Sequence, residues 1–383
     1  MSATPFTCRI PDAALADLRE RLARTRLPDQ APEAPWTYGT DVGYLADLIA
    51  YWRDGFDWRA QEAALNAFPQ AMVQVGDLAV HCLHVPGRGP EGGPAPRPLL
   101  LCHGWPGSVF EFLDIIPRLT DPAAYGGDPA QAFTVVAPSL PGYGFSFRPG
   151  QRRLGVEEMA DTLAEMMGLL GYDRFLAQGG DWGAFVTTRM AWRYPERIAG
   201  LHLNMLPVRR DRTGADPTPE EAAHYERVAH WLKEETGYQW IQGTRPQTLA
   251  FALTDSPGGL AAWQVEKFRA WSDCGGTIEA AIPRERMLAN IALYWFTGAI
   301  GSAAHPYFAR VHRPWPIPDG ERITVPTGYA AFPKEMVRPP RSLAGGMFAD
   351  IRRWTEMPRG GHFAALEQPA LLADDIRAFA AAL

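Results

Sequence analysis

A carboxylate stands at the centre of Gly179-Gly180-Asp181-Trp182-Gly183, with the short apolar run Phe175-Leu176-Ala177 before it and a helix-forming stretch after it. The pattern is glycine, any residue, nucleophile, any residue, glycine. Small flanking residues let two backbones pass closely and hold the central side chain clear of the fold. An acid at the apex, in place of Ser or Cys, suits displacement at an sp3 carbon and an ester of the enzyme, rather than ordinary acyl transfer.

Taken alone, an Asp in a glycine-rich turn is most often a turn or cap residue. What changes that reading is the order of its partners along the chain. His103-Gly104-Trp105-Pro106-Gly107-Ser108 follows the first buried strand, where an α/β-hydrolase supplies one backbone N–H to an oxyanion hole. Trp105 is expected to give that N–H and Trp182, next to the nucleophile, the other; His103 and Pro106 are expected only to shape the loop. Gly360-Gly361-His362-Phe363 falls between a strand and a helix near the C-terminus, and His362 is the general-base candidate. A carboxylate between Asp181 and His362 should orient that imidazole. Glu335, in the loop beyond Ile323-Thr324-Val325-Pro326-Thr327-Gly328, is expected to be it, with Asp319, Glu321 and Asp350 as weaker choices.

These groups need a scaffold, and the hydrophobic pattern supplies one. Asp12 is expected to cap a helix running to Arg26, with Leu15, Leu18 and Leu22 on one face. A Pro- and aromatic-rich meander, a short helix over Gly43–Arg53 and a hairpin from Met72 to Val85 about Gly76-Asp77 come next. Beyond the Gly/Pro-rich piece 86–98, strands at Leu99–Cys102, Phe133–Ala137, Phe175–Gln178 and Ile198–Leu203 alternate with helices near Val109–Arg118, Val156–Leu170 and after Gly183. Such alternation predicts a mostly parallel sheet covered on both faces. From about Pro207 to Pro318 the rhythm gives way to helical, aromatic sequence. Strands are expected again at Ile323–Gly328 and Arg352–Met357, and a last helix from Pro369 to Leu383. The class is α/β, read as an N-terminal extension (1–95), a first core segment (96–206), a helical lid (207–318) and a second core segment (319–383).

Bulk properties exclude several functions. A formal net charge of -6 over 383 residues, with scattered arginines, gives no basic footprint for nucleic acid. The four cysteines, Cys8, Cys82, Cys102 and Cys274, lie far apart, which suggests neither a disulfide framework nor a zinc site. The histidines show no metal-ligand spacing, so neither metal nor cofactor is expected. No segment approaches the ~20 apolar residues of a membrane span. The opening Met1-Ser2-Ala3-Thr4-Pro5-Phe6 lacks the basic and apolar regions of a secretory signal, and a cytoplasmic location is expected.

With these motifs in order, the chain resembles the epoxide hydrolases of the α/β-hydrolase fold, of the microsomal type with its N-terminal extension. The likeness runs through the Phe6–Pro28 helix, His103-Gly104-Trp105-Pro106, Pro141-Gly142-Tyr143-Gly144-Phe145-Ser146, Gly179-Gly180-Asp181-Trp182-Gly183, Leu293-Tyr294-Trp295, Val325-Pro326-Thr327-Gly328 and Gly360-Gly361-His362-Phe363-Ala364-Ala365. It implies two lid tyrosines that donate to the epoxide oxygen. The matching positions are Tyr307, in His305-Pro306-Tyr307-Phe308, and Tyr238, in Glu235-Thr236-Gly237-Tyr238; with Trp105 and Trp182 they are the expected substrate-binding residues. Microsomal relatives carry an N-terminal membrane anchor, whereas this sequence begins almost directly at the extension, so no membrane association is expected.

The resemblance implies conversion of a small apolar epoxide and water to a vicinal diol through a hydroxyalkyl ester of Asp181. A homodimer is left open. A haloalkane dehalogenase also uses an Asp followed by Trp, but it needs halide-binding N–H donors and no paired phenols. A hydrolase fold kept only for binding would be expected to have lost a member of the set.

Overall fold

The computed structural model describes residues 3–208 and 216–383; Met1, Ser2 and the stretch 209–215 of the expected lid lie outside the described residues. The chain opens with β1 (Thr4–Pro5), α1 (Asp12–Ala23), α2 (Val42–Asp54) and α3 (Trp58–Asn66), then the hairpin β2 (Gln70–Val75) and β3 (Leu78–Val85). The core follows as β4 (Arg97–Cys102), α4 (Ile116–Thr120), β5 (Phe133–Pro138), α5 (Val156–Leu169), β6 (Phe175–Gly179), α6 (Asp181–Arg193) and β7 (Ile198–Leu203). Helices α7 (Pro219–Glu234), α8 (Gly237–Thr244), α9 (Pro246–Asp255), α10 (Pro257–Trp271), α11 (Arg284–Thr297), α12 (Ile300–Ala303) and α13 (His305–His312) stand between β7 and β8 (Thr327–Ala331). The chain ends with α14 (Arg341–Met347), β9 (Ile351–Glu356), α15 (Ala364–Glu367) and α16 (Pro369–Ala381).

The nine strands among the described residues form one sheet in the order β1-β2-β3-β5-β4-β6-β7-β8-β9. Pairs from β5 across to β9 are parallel, whereas β1, β2 and β3 add an antiparallel edge. The strands β4, β5 and β6 are buried nearly throughout, as a sheet covered on both faces requires. This is the α/β-hydrolase fold.

Three local readings are corrected and one helix is added. Helix α1 stops at Ala23 and starts behind Pro11 with no side-chain cap; Asp12 lies inside the first turn, where its charge favours the helix N-terminus and pairs with Arg59. The helix expected over Val109–Arg118 is a 3-10 turn at Val109–Phe112 and the separate α4. Pro117 is the reason: without an N–H it is tolerated in the first turn of a helix and not in its interior. The strand expected at Ile323–Gly328 is displaced to Thr327–Ala331, since Pro326 has no N–H for a ladder and Ile323 keeps one isolated bridge to Phe348. Helix α3 has no counterpart in the sequence reading; Asp57 caps it by accepting from Ala60 N–H.

The extension binds the lid to the core. Buried Glu62 on α3 accepts from Ile10 N–H at 2.6 Å and the Trp58 indole at 2.8 Å. Toward the lid, Tyr51 and Tyr44 donate to Glu285 and Glu279 at 2.7 and 3.0 Å, and Thr40 donates to the Ala262 carbonyl at 2.7 Å. Among the described residues no single helix is long and apolar enough to cross a membrane.

Candidate active site

Parallel β4 and β6 are neighbours in the sheet, so the loops leaving their C-terminal ends are brought together. That placement carries His103–Ser108 onto Asp181. Asp181 begins α6 with φ of +48°, a left-handed conformation that a non-glycine residue adopts at a cost of order 1–3 kcal/mol. The close packing beneath it explains the small flanking residues. A Cβ on Gly183 would lie 2.1 Å from the Cys102 carbonyl oxygen, and one on Gly104 would lie 2.1 Å from Asp181 Oδ1.

Asp181 Oδ1 accepts the Trp105 backbone N–H at 2.8 Å. The oxyanion loop is held from both sides. His103 Nε2 accepts from Leu140 N–H at 3.1 Å while its Nδ1–H donates to the Gly104 carbonyl at 3.0 Å, and burial pushes this imidazole down to about 4, which keeps it neutral. From the lid, Asn290 donates to the Pro106 carbonyl at 2.6 Å and Tyr294 to the Gly107 carbonyl at 2.7 Å. Trp182 sits in the first turn of α6, where a backbone N–H has no intrahelical acceptor.

The other Asp181 oxygen, Oδ2, faces His362 Nε2 at 3.4 Å. On the far side of the ring, Nδ1 meets Glu335 Oε2 at 2.8 Å, so the Nδ1–H donates to the acid and Nε2 is turned to Asp181. Burial opposes a charge on this ring. The Glu335 charge, the contacts with both carboxylates and the Asp181 charge outweigh it and hold the imidazole well above the ordinary histidine range. Of the weaker candidates for the acid, Asp350 pairs with Arg352 near the surface instead.

Two buried tyrosines, Tyr238 on α8 and Tyr307 on α13, border the same cavity as Asp181. Their rings meet edge to face with centres 5.6 Å apart. Tyr307 packs edge-on to Trp182 at 4.7 Å and to Trp105 at 5.8 Å. Its hydroxyl makes no hydrogen bond of ordinary geometry, with the Trp182 side chain and the Tyr238 hydroxyl as near neighbours. Tyr238 accepts from the Gln239 amide at 2.9 Å. Burial, then the Asp181 charge, pushes the Tyr238 hydroxyl up; for Tyr307 burial is joined by Tyr238 and Asp181. Both phenols therefore keep their protons at neutral pH.

From Asp181 a cavity of about 580 Å³ runs between core and lid, within the ~300–1,000 Å³ usual for small-molecule sites. Phe185, Leu206, Val228, Trp231 and Trp315 make much of its wall, with both tyrosines at the inner end. Trp295 on α11 lies elsewhere, under the Arg21 guanidinium.

Sequence reasoning missed the groups that hold the histidine loop. His362 N–H donates to the Trp271 carbonyl at 2.9 Å and Gly360 N–H to Asp273 Oδ2 at 2.9 Å. Glu367 accepts from Asp273 N–H at 2.7 Å and Phe363 N–H at 3.0 Å. A lid segment, 271–273, thus clamps the loop that carries His362. The signal available was the interval from His362 to Glu367, an acid in the turn after a loop histidine; nothing local marks Asp273.

Comparison with known proteins bears on the fold and the family. The family model described as "Epoxide hydrolase N terminus" matches residues 3–112, and that described as "alpha/beta hydrolase fold" matches residues 97–250. Epoxide hydrolase 1 of Oryctolagus cuniculus is 37% identical over 99% of this chain and 88% of its own. The solved epoxide hydrolase of Aspergillus niger superposes with a TM-score of 0.87 at 30% identity, covering 100% of this chain and 97% of its own. The juvenile hormone epoxide hydrolase of Bombyx mori gives 0.89 at 29%, covering 100% and 94%.

Proposed function

The chain belongs to the epoxide hydrolase family of the α/β-hydrolase fold, and from that premise we propose that it opens its substrate through a covalent ester on Asp181. One observation carries the mechanism: the Asp181 carboxylate meets a buried histidine–acid pair and shares a cavity with two buried phenols.

The epoxide oxygen is a poor leaving group, so ring opening near neutral pH needs a proton donor opposite the nucleophile. With Oδ1 engaged by Trp105 N–H, Asp181 Oδ2 attacks one ring carbon. The carbon–oxygen bond of the ring breaks, and the departing oxygen takes a proton from Tyr238 or Tyr307. His362 then removes a proton from water, whose oxygen adds to the carboxyl carbon of Asp181. The Trp105 N–H, with that of Trp182, stabilises the resulting oxyanion, an effect worth on the order of 10²–10³ in rate per donor. Collapse expels the diol oxygen, which takes the proton held by His362. The second proton of the water, left on the Asp181 carboxyl, passes to the tyrosinate, which restores the carboxylate and the phenol together. Epoxide and water become a vicinal diol with no net change in the enzyme.

The phenols weigh against a halide as leaving group, because they offer protons to a developing alkoxide. Single turnover in heavy-oxygen water tests the route. An ester intermediate places the label in the Asp181 carboxylate and an unlabelled oxygen in the first diol; label directly in the diol, with none in Asp181, excludes it.

A further inference from the structure

We propose that Glu111 positions the hydrolytic water in a small internal chamber behind Asp181, separate from the cavity that takes the epoxide; the inference rests on Asp181 being the nucleophile. The chamber measures about 20 Å³ and is bordered by Glu111, Gln178, Asp181, Asn204 and His362. That is room for one water, which needs roughly 10–15 Å³ and two to four polar partners. Among the described residues, Asp181 alone borders both this chamber and the substrate cavity. The nucleophile is therefore a partition: an alkyl group bound on the lid side leaves the space on the core side open.

The polar groups of the wall are not equally available. Gln178 donates to Asn204 Oδ1 at 2.8 Å, and the Asn204 amide reaches the His362 carbonyl at 3.5 Å. Glu111 differs. Its side chain folds back over the oxyanion loop, with Oε1 1.4 Å from where a Cβ on Gly107 would stand. Gly107 is thus small because Glu111 occupies its side-chain space. Glu111 is half-buried and borders the chamber. Burial pushes it up to about 8, eased by His362 and reinforced by the Asp181 charge. Protonated or not, it offers one oxygen that accepts a hydrogen bond. A water held there gives one proton to Glu111 as a hydrogen bond and the other to His362 Nε2, which leaves a lone pair for the Asp181 carboxyl carbon.

Single-turnover measurements with styrene oxide test this. In Glu111→Leu the ester on Asp181 forms within about twofold of the unaltered rate but is hydrolysed at least tenfold more slowly. The alkylated protein then accumulates in intact-mass spectra, and kcat and KM fall together. Glu111→Gln, which retains a carbonyl acceptor, returns hydrolysis to within about threefold of the unaltered rate. Hydrolysis at the unaltered rate in Glu111→Leu, equal slowing of both steps, or a Gln variant as slow as the Leu variant overturns the inference alone. No ester on Asp181 in the unaltered protein overturns the nucleophile reading and this inference with it. A high-resolution crystal structure of the unaltered protein is the check that needs no variant: an ordered water hydrogen-bonded to Glu111 supports the proposal, and a chamber without one refutes it.

Discussion

The ring of Tyr238 lies stacked on the indole of Trp105, with centres 5.3 Å apart and planes 11° from parallel. The residue whose N–H holds Asp181 Oδ1 thus also fixes one of the two proposed proton donors. Tyr238→Phe and Tyr307→Phe keep this packing and remove one hydroxyl each. Ring opening should slow about 10–100-fold in each, and in the double variant by an amount within the ~10²–10⁴ of general acid catalysis. Stopped-flow quenching of the active-site tryptophans reads the step; an unchanged alkylation rate in the double variant removes the phenols from the mechanism.

His362 should carry different charge before and after the first step. In the free enzyme it stands between two carboxylates, which hold it well above the ordinary range. Esterification of Asp181 removes one of them, so the ring then releases its proton more easily and becomes the base that hydrolysis needs. The hydrolysis rate should rise with pH through an apparent value lower than that of His362 in the resting enzyme, measurable by NMR of the imidazole. Stability takes the opposite direction: a folded value above the unfolded one gives stability that is full below the unfolded value and lost as pH rises through the folded one. Chemical denaturation of His362→Gln should lack that loss.

Glu335→Gln separates orientation from charge. The amide can fill the same space, yet it no longer stabilises an imidazolium across the 2.8 Å contact. Ester hydrolysis should fall on the order of 10²-fold, with alkylation much less affected. Rapid-quench detection of the accumulating ester distinguishes this from equal loss in both steps, which would make Glu335 a structural group only.

What the sequence discloses of the site is what short spacing encodes. Asp181 and Trp182 are neighbours in one turn, Trp105 follows the end of a strand, and His362 sits in a glycine loop, so local pattern and chain order lead to them. Tyr238 and Tyr307 came only through the family likeness, because a lid phenol has no local signature that separates it from core aromatics. The partners of the histidine loop stayed hidden for another reason: Asp273 meets Gly360 across 87 positions, and no periodicity encodes that meeting. Glu111 was hidden although it is four residues from Gly107, since the stretch read as an α-helix is a 3-10 turn that folds its side chain back on the loop. In the scaffold, the two displaced elements, α4 and β8, were both misread at a proline, Pro117 and Pro326, whose missing N–H overrides the surrounding apolar pattern.

The elbow predicts a steep cost for a single methyl group. Gly183→Ala places a Cβ 2.1 Å from the Cys102 carbonyl oxygen, and a strand backbone in the centre of the sheet has no room to retreat. Overpacking of this kind typically costs about 1–3 kcal/mol, or more where backbone must move. A fall in Tm of several degrees with loss of activity is expected; a variant as stable as the unaltered protein contradicts the close packing of β4 against α6.

The clamp at Glu367 makes a prediction that its neighbours cannot imitate. Burial pushes this carboxyl up to about 7, against the opposing effect of the backbone N–H groups of Asp273 and Phe363 and of the His362 charge. A folded value above the unfolded one has a definite sign for an acid: the group costs nothing while protonated in both states, and its cost grows as pH rises from the unfolded value of about 4.5 to the folded one near 7. Glu367→Gln stays neutral throughout, so its stability relative to the unaltered protein should improve across that window and level off above it. Comparing the two proteins by denaturant unfolding between pH 4.5 and 8 isolates the one group, since every other titrating residue is common to both. If the difference is flat with pH, Glu367 ionises as freely in the fold as in water, and the clamp on the His362 loop is not strained by its charge. If it grows as expected while ester hydrolysis slows, the lid segment 271–273 holds the base through a carboxylate that the fold keeps charged at a cost.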